Sequence, residues 1–427
     1  MKILIKSATI IDSQSKYHLK KMDILIENGI IKKIKKLIEI DSTSKKNNSV
    51  KIYKAKDLHV SPGWFDIHVN FCEPGYEQKE TILTGCNAAI KGGFTGVMLM
   101  PNTKPCIDNK GIIEFIKNSS KKNIIDIHVA GNITKNCEGK EIVEMYDMHK
   151  SGCSTFTDDK KSIIRNDVMK IAMLYSKDSD FLIMNHPSDS SLSKGHMHEG
   201  EVSTKLGLKG IPSIAEEIMV DRDLNLCKYT NSRLHLSYIS TKESINKIKK
   251  AKLSGLKLSA DVAIHNLFLT EKSISNFDTR YKVSPPLRTK KDNTSLINGL
   301  KNDTIDIISC DHSPINEEYK KTEFDNAENG IIGLESAFGL LGKHIIQKIG
   351  ISKLIEKISI NPRKILKIEE VKIEEENKAN LTLFNPNFDW IFSEKDIKSK
   401  SKNTPFIGTQ LKGKALAIIN NGKIKEC

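Results

Sequence analysis

The stretch Phe65-Asp66-Ile67-His68-Val69-Asn70-Phe71 alternates apolar and polar residues without a break. A period of two is that of a β-strand, and it puts Asp66, His68 and Asn70 on one face. Seven more short apolar runs follow at 96–100, 124–130, 153–157, 181–185, 233–239, 256–262 and 305–310. Helical patterns lie between most of them. Ile164, Val168, Ile171, Ala172 and Tyr175 mark one apolar helix face, and Ser240-Thr-Lys-Glu243 has capping-box spacing ahead of another helix. Eight buried strands alternating with helices predict an α/β fold of the (β/α)₈ TIM-barrel class, whose chemistry sits at the strand C-termini. A doubly wound open sheet is the alternative. No GxGxxG follows a strand, which counts against it.

Both ends read differently from this middle. Ile3–Ile11, Asp23–Glu27 and Ile30–Ile34 are strand-like, with Asn28-Gly29 as a turn signal, and Asp41–Asn48 reads as a polar loop. Ala379–Phe384 and Ala415–Asn420 repeat the pattern, with Asn421-Gly422 as a second turn. The expected organisation is a small β-sandwich from residues 1–60 plus 365–427 around a barrel at 61–364. The 427 residues suffice for both, and 38% hydrophobic with 28% charged residues reads as soluble and globular.

No apolar run nears the roughly 20 residues of a membrane helix, and the start lacks the apolar core of a signal peptide. A cytoplasmic location is the expectation. The eight cysteines form no CxxC pair, as expected of reduced structural thiols. The net charge of +14 comes from lysines spread along the chain. With no nucleic-acid-binding motif beside it, that charge suits anionic metabolites better than nucleic acid.

Polar residues close several strands. Asp66, His68 and Asn70 end the first; Phe156-Thr157-Asp158-Asp159 follows the fourth. Asn185-His186 ends the fifth, His235 to Tyr238 the sixth and Asp311-His312 the eighth. Imidazoles and carboxylates meeting at one rim suit zinc, and a metal hydrolase keeps one coordination position open for water. His235 lies an odd three positions before Tyr238, so alternation points its side chain away from the pocket. His196-Met197-His198 repeats the HxH spacing; a surface loop is the expected reading and a compensating metal site the alternative.

These residues bring the chain close to a known family. Ser61-Pro-Gly-Trp-Phe-Asp-Ile-His-Val-Asn-Phe-Cys-Glu-Pro-Gly75 resembles the opening of a class I dihydroorotase of the amidohydrolase superfamily. Met100-Pro-Asn-Thr103, Phe156-Thr-Asp-Asp159, Glu199-Gly-Glu-Val202, Ser284-Pro-Pro-Leu-Arg288, Asp311-His312 and Gly330-Ile-Ile-Gly333 continue the likeness in order. The resemblance implies interconversion of N-carbamoyl-aspartate and dihydroorotate in pyrimidine biosynthesis, by attack of metal-activated water on a cyclic amide. It implies His68, Asp159, His186 and Asp311 as zinc ligands. In that assignment Asp159 bridges two ions, His186 binds the second, and Asp311 also moves the proton. Asn102 and Arg288 are the implied substrate contacts.

The chain departs from the family pattern in that same site. Asn70 and Tyr238 stand where the family has histidine ligands, and Cys72 where an arginine binds the substrate carboxylate. Ile264-His265-Asn266 replaces a proline-asparagine-histidine segment, and Ile315 stands where a later histidine falls. Cysteine cannot supply the bidentate recognition lost with arginine. The centre expected is therefore one zinc ion or two, with a reduced ligand set. Three readings stay open: an active dihydroorotase with an altered metal centre, a non-catalytic subunit scaffolding aspartate transcarbamoylase, and a hydrolase for another cyclic amide such as a hydantoin or allantoin. The sequence sets no oligomeric state; a homo-oligomer is compatible with it.

Overall fold

The computed structural model describes residues 2–39, 50–121 and 123–427, so the Asp41–Asn48 loop lies outside the described residues. All eight apolar runs of the middle form parallel strands: Trp64–Val69, Phe94–Leu99, Asp126–Val129, Thr155–Phe156, Leu182–Asn185, Arg233–Leu236, Leu258–Ala263 and Ile307–Ser309. The first three pair in order, as do the last five. Parallel bridges Gly131↔Phe156 and Val69↔His312 join the two sets and close the barrel. Asp66 reinforces the closure: its carboxylate accepts from the Cys310 amide at 2.6 Å and from the His68 amide at 2.9 Å.

The helices between the strands are set by their buried faces, and here two expectations change. In the helix Asn166–Asp178 the buried stripe is Val168, Met169, Ala172, Met173 and Ser176. Ile164 precedes that helix, and both Ile164 and Ile171 are exposed. The apolar side of this helix is therefore rotated from the one the isoleucines suggested, because the small Ala172 and flexible methionines fit against the neighbouring elements. The helix Lys242–Leu253 is capped by Thr241, whose side chain accepts from the Ser244 amide. Ser240, the expected cap, is instead hydrogen-bonded to the buried Glu216 carboxylate.

Strands from both ends of the chain share one eight-stranded sheet. Its path runs from Lys423–Glu426 through Gln410–Asn420, Leu381–Ile391, His59–Pro62, Lys2–Ile10 and Lys21–Glu27 to Ile30–Lys35, with Val50–Tyr53 beside Lys2–Ile10. Both Asn-Gly turns form. Asn28 and Gly29 have φ of 50° and 80°, and Asn421 and Gly422 have 49° and 68°. Positive φ at both central residues is the hairpin turn that matches strand twist, and asparagine and glycine adopt it at least cost. The sheet meets the barrel at Trp64, whose ring stacks on Phe338 at 4.5 Å and lies 5.5 Å from Phe384. Among the described residues no helix is long and apolar enough to cross a membrane.

Candidate metal and catalytic site

The strand C-termini converge on a chain of buried polar groups. Deepest is Asp261, in the middle of the seventh strand. Its Oδ2 accepts from His68 Nε2 at 2.8 Å and His235 Nε2 at 2.9 Å. Its Oδ1 accepts from Ser309 Oγ at 3.0 Å and from the Tyr238 amide at 3.3 Å. Burial alone would raise this carboxyl's pKa, but the two imidazoles outweigh burial and hold it well below the usual range. Burial likewise disfavours a charged His68, yet Asp261 raises its pKa overall.

His235 was expected to face away from the pocket, and the structure corrects this. Its ring is fully buried and paired with Asp261. The parity argument fails because the strand ends at Leu236 and Tyr238 sits at φ 57°. Once the backbone enters the left-handed region, alternation no longer holds, and His235 and Tyr238 both face inward.

Tyr238 lies over this cluster. Its ring is 4.1 Å from that of His68 and 5.7 Å from that of His186, and its hydroxyl donates to Asp159 Oδ1 at 3.2 Å. The other oxygen, Asp159 Oδ2, accepts from Asn102 Nδ2 at 3.0 Å. Lys160 Nζ stands 4.9 Å from the centre of the Tyr238 ring. It contacts both oxygens of Asp311, at 2.7 and 2.8 Å. His265 Nε2 is 3.9 Å from Asp311 Oδ2. Burial, with Lys160 adding to it, brings the His186 pKa down to about 4; burial does the same for His265, which is also about 4. Both imidazoles are thus neutral at pH 7. Burial first, then Asp159 and Asp311, push the Tyr238 phenol well above its ordinary value.

Four of the residues at this rim have left-handed backbones without being glycine: Cys72 at φ 61°, Asp159 at 50°, Tyr238 at 57° and Asp311 at 50°. Each costs on the order of 1 kcal/mol or more. Such conformations persist where surrounding contacts over-determine them, and they collect at functional sites. Several buried polar atoms at the same rim have no protein partner: Asn70 Oδ1, His186 Nδ1, His265 Nε2 and Asn266 Oδ1. Nearly all buried polar atoms in folded proteins are paired, so a group of unpaired ones marks a place for water or a ligand.

The expected ligand quartet is not gathered around one point. Among the described residues, the group of three or more metal-type donors with ligand atoms all within 4.8 Å of one another is His68, His235 and Asp261. Two imidazole nitrogens and a carboxylate oxygen are a donor set that zinc accepts, so these residues fit one ion. Around Asp159, His186 and Asp311, Lys160 and Tyr238 supply the partners instead. Asn70 turns its amide nitrogen to the His312 carbonyl and to Ser313 Oγ, at 3.4 and 3.2 Å. Burial takes the Cys72 thiol up to about 12, so it carries no charge to stand in for a guanidinium. Asn266 bonds the Pro286 carbonyl at 3.4 Å, and the buried Ile315 is held through its amide by Asn403.

Of the two expected substrate contacts, Asn102 is exposed beside Asp159. Arg288 is buried and engaged within the protein, with the Ile211 carbonyl at 2.8 Å, His198 Nδ1 at 3.1 Å and Ser240 Oγ at 3.2 Å. This also corrects the reading of His196-Met197-His198. Met197–His198 is a short strand paired with Gly210–Ile211, and His198 is buried rather than a surface-loop residue. A separate cleft of about 1170 Å³, lined by Arg280, Lys320, Lys400 and Lys402 among others, takes in only Ile315 of these positions. That cleft is therefore distinct from the cluster of His68, Tyr238, Lys160 and Asp311.

His198 supplies a pH test of this arrangement. Burial first, then the Arg288 guanidinium, lower its pKa to about 4, against roughly 6.5 in an unfolded chain. The unfolded state therefore takes up the proton first, and stability present above about pH 6.5 is lost as pH falls toward 4. Between pH 7 and 5, urea unfolding of the native protein should lose roughly 1–2 kcal/mol more than that of His198→Asn. Equal losses in the two proteins would show that His198 does not remain neutral in the fold.

Two residues of the site go unnoticed in the sequence, and only one of them carries a signal there. Asp261 interrupts the apolar run Leu258–Ala263, and a buried carboxylate in mid-strand requires partners. Lys160 gave no such signal, since Lys160-Lys161 reads as a solvated pair and its partner Asp311 is 151 residues away.

The family model described as Dihydro-orotase-like matches residues 58–244. A dihydroorotase of Thermoanaerobacter sp. (strain X514) is 41% identical over 429 residues, covering 100% of this chain and 97% of that protein. One from Caldicellulosiruptor saccharolyticus is 41% identical over 426 residues, covering 99% and 98%. Among solved structures, the L-hydantoinase (dihydropyrimidinase) of Arthrobacter aurescens superposes with a TM-score of 0.83. It covers 99% of this chain and 95% of its own, at 19% identity, a likeness that speaks for the fold. With identity of this level running from end to end of both proteins, the chain belongs to the dihydroorotase family of the amidohydrolase superfamily.

Proposed function

We propose that the chain is a dihydroorotase-type hydrolase, opening the cyclic amide of dihydroorotate to N-carbamoyl-aspartate and closing it again in pyrimidine biosynthesis. The observation that carries this is the contrast in the likenesses. Identity to dihydroorotases is 41% across the whole chain, against 19% to the hydantoinase of the same fold. That contrast favours dihydroorotate over a hydantoin or allantoin as substrate.

His68, His235 and Asp261 would hold one metal ion, which when bound would supply Lewis-acid polarisation and lower the pKa of water. The chain's own groups account for the rest. Asp311 accepts a proton from the attacking water and returns it to the leaving amide nitrogen. Lys160 holds the Asp311 carboxylate in place through contacts to both of its oxygens. Asn102 and the unpaired nitrogens of His186 and His265 offer hydrogen bonds to the polar edge of the ring. Neutral imidazoles suit this role, since each can donate or accept.

Tyr238 and Lys160 fill space beside Asp159 and Asp311, and this favours a second reading: a non-catalytic partner of aspartate transcarbamoylase. Zinc content and dihydroorotate hydrolysis, measured on one purified sample, separate the two. Stoichiometric zinc with turnover supports the enzyme. Metal near zero with no turnover, and co-purification with the transcarbamoylase, supports the partner.

A further inference from the structure

We infer that the Lys160 ammonium is a built-in cation standing on Asp311 where a metal ion would otherwise bind, with Tyr238 closing the space beside Asp159, so that the chain holds no more than one metal ion. The inference deepens the proposed reduced metal centre and rests on that reading for the place of the remaining ion.

Three observations carry it. First, Lys160 Nζ lies within 2.8 Å of both oxygens of Asp311, the near-symmetric contact that a cation makes with a carboxylate. A metal ion bound to those same oxygens would have to displace the ammonium. Second, both oxygens of Asp159 face hydrogen-bond donors rather than metal-ligating partners: Oδ1 the Tyr238 hydroxyl at 3.2 Å and Oδ2 the Asn102 amide at 3.0 Å. Third, the Tyr238 ring fills the space between His68 and His186, with centroids 4.1 and 5.7 Å away, and Lys160 stands 4.9 Å from the centre of that ring. A hydroxyl that donates to Asp159 is a poor replacement for an imidazole lone pair. Phenol, ring face and ammonium together make a neutral donor and a fixed charge where two metal-ligating groups would otherwise meet.

Electrostatics favours the arrangement. Asp159, Asp261 and Asp311 are all buried, and three carboxylates in low dielectric need compensating charge nearby. Asp261 has His68 and His235. Asp311 has Lys160, whose side chain is 21% exposed and so reaches the site from its wet side. A tethered side chain does not leave the site on dilution, unlike a dissociable ion. The consequence is a site that keeps its charge balance when metal is scarce.

The test is metal stoichiometry, not turnover. The full chain is equilibrated with excess zinc, freed of loosely bound ion by gel filtration, and its zinc per chain measured by mass spectrometry. Thermal melts confirm folding. The expected result is no more than one zinc per native chain, no change in Lys160→Arg, and one additional zinc per chain in the double variant Lys160→Ala, Tyr238→His. If that double variant does not fold, Lys160→Met, Tyr238→His serves, since methionine keeps more of the lysine volume, and it should gain the same additional zinc. Two zinc ions in the native chain would overturn the inference, as would a folded variant that gains none. Absence of dihydroorotate turnover in a native chain holding one zinc would sink the proposed function and leave this inference standing.

Discussion

Replacing Asp311 by asparagine should lower kcat/KM for dihydroorotate by a factor of roughly 10²–10⁴, the usual range for losing a positioned proton-transfer group. The substitution is well matched to the site. Asparagine keeps the shape and one acceptor oxygen for Lys160, and it tolerates the left-handed φ of 50° found here. What it loses is the ability to take up a proton. The fall should appear mainly in kcat, because Asp311 acts on the reacting atoms rather than in binding the intact ring. Steady-state kinetics with a thermal melt of the same preparation is the check. A folded Asp311→Asn variant with native kcat would remove Asp311 from the mechanism.

The second large effect is structural. Asp261→Ala should destabilise the protein by about 3–5 kcal/mol, the scale seen when one partner of a buried ion pair is deleted. Asp261 and His235 have essentially no exposure and His68 has 1%, so the deletion leaves two buried imidazoles without their acceptor. Ser309 Oγ and the Tyr238 amide lose their acceptor as well. Because the Tyr238 amide helps hold a left-handed residue, the loss should also loosen the ring that lies over His68. Urea unfolding at pH 7 measures the difference. A change of less than about 1 kcal/mol would mean that the cluster is not a structural keystone of the barrel.

The barrel was legible because its signal is local and repeated. Eight apolar runs separated by helical patterns leave few other folds, and burial on both strand faces produces such runs. The Asn-Gly hairpins were legible for the same reason: the turn chemistry lies in two adjacent residues. At the site, position at a strand end brought His68, Asp159, His186 and Asp311 to the rim, but it did not disclose the partners each one faces there. The site was not legible where backbone geometry departs from the strand. His235 was misdirected because Tyr238 leaves the β region, a change that no alternation rule anticipates. Arg288 and His198 are 90 residues apart, and their pairing depends on how a short strand lies against a neighbouring loop. Lys160 carries the longest inference on the least local information, since a lysine beside an aspartate is ordinary in a chain this basic.

Isoleucines at 164 and 171 show the same limit in the other direction. Their spacing suggested a buried face, yet the packing surface selected Val168, Ala172 and the two methionines. Apolar residues on the surface are common, so periodicity names a helix more securely than it names the side facing the core.

The central claim for this protein is a dihydroorotase-type site that works with one metal ion and a tethered cation. Its most direct test is dihydroorotate hydrolysis by the native chain, with zinc per chain determined on the same sample. Turnover at one zinc per chain is the expected result. Turnover that requires two zinc ions, or one bound zinc with no turnover, would contradict it.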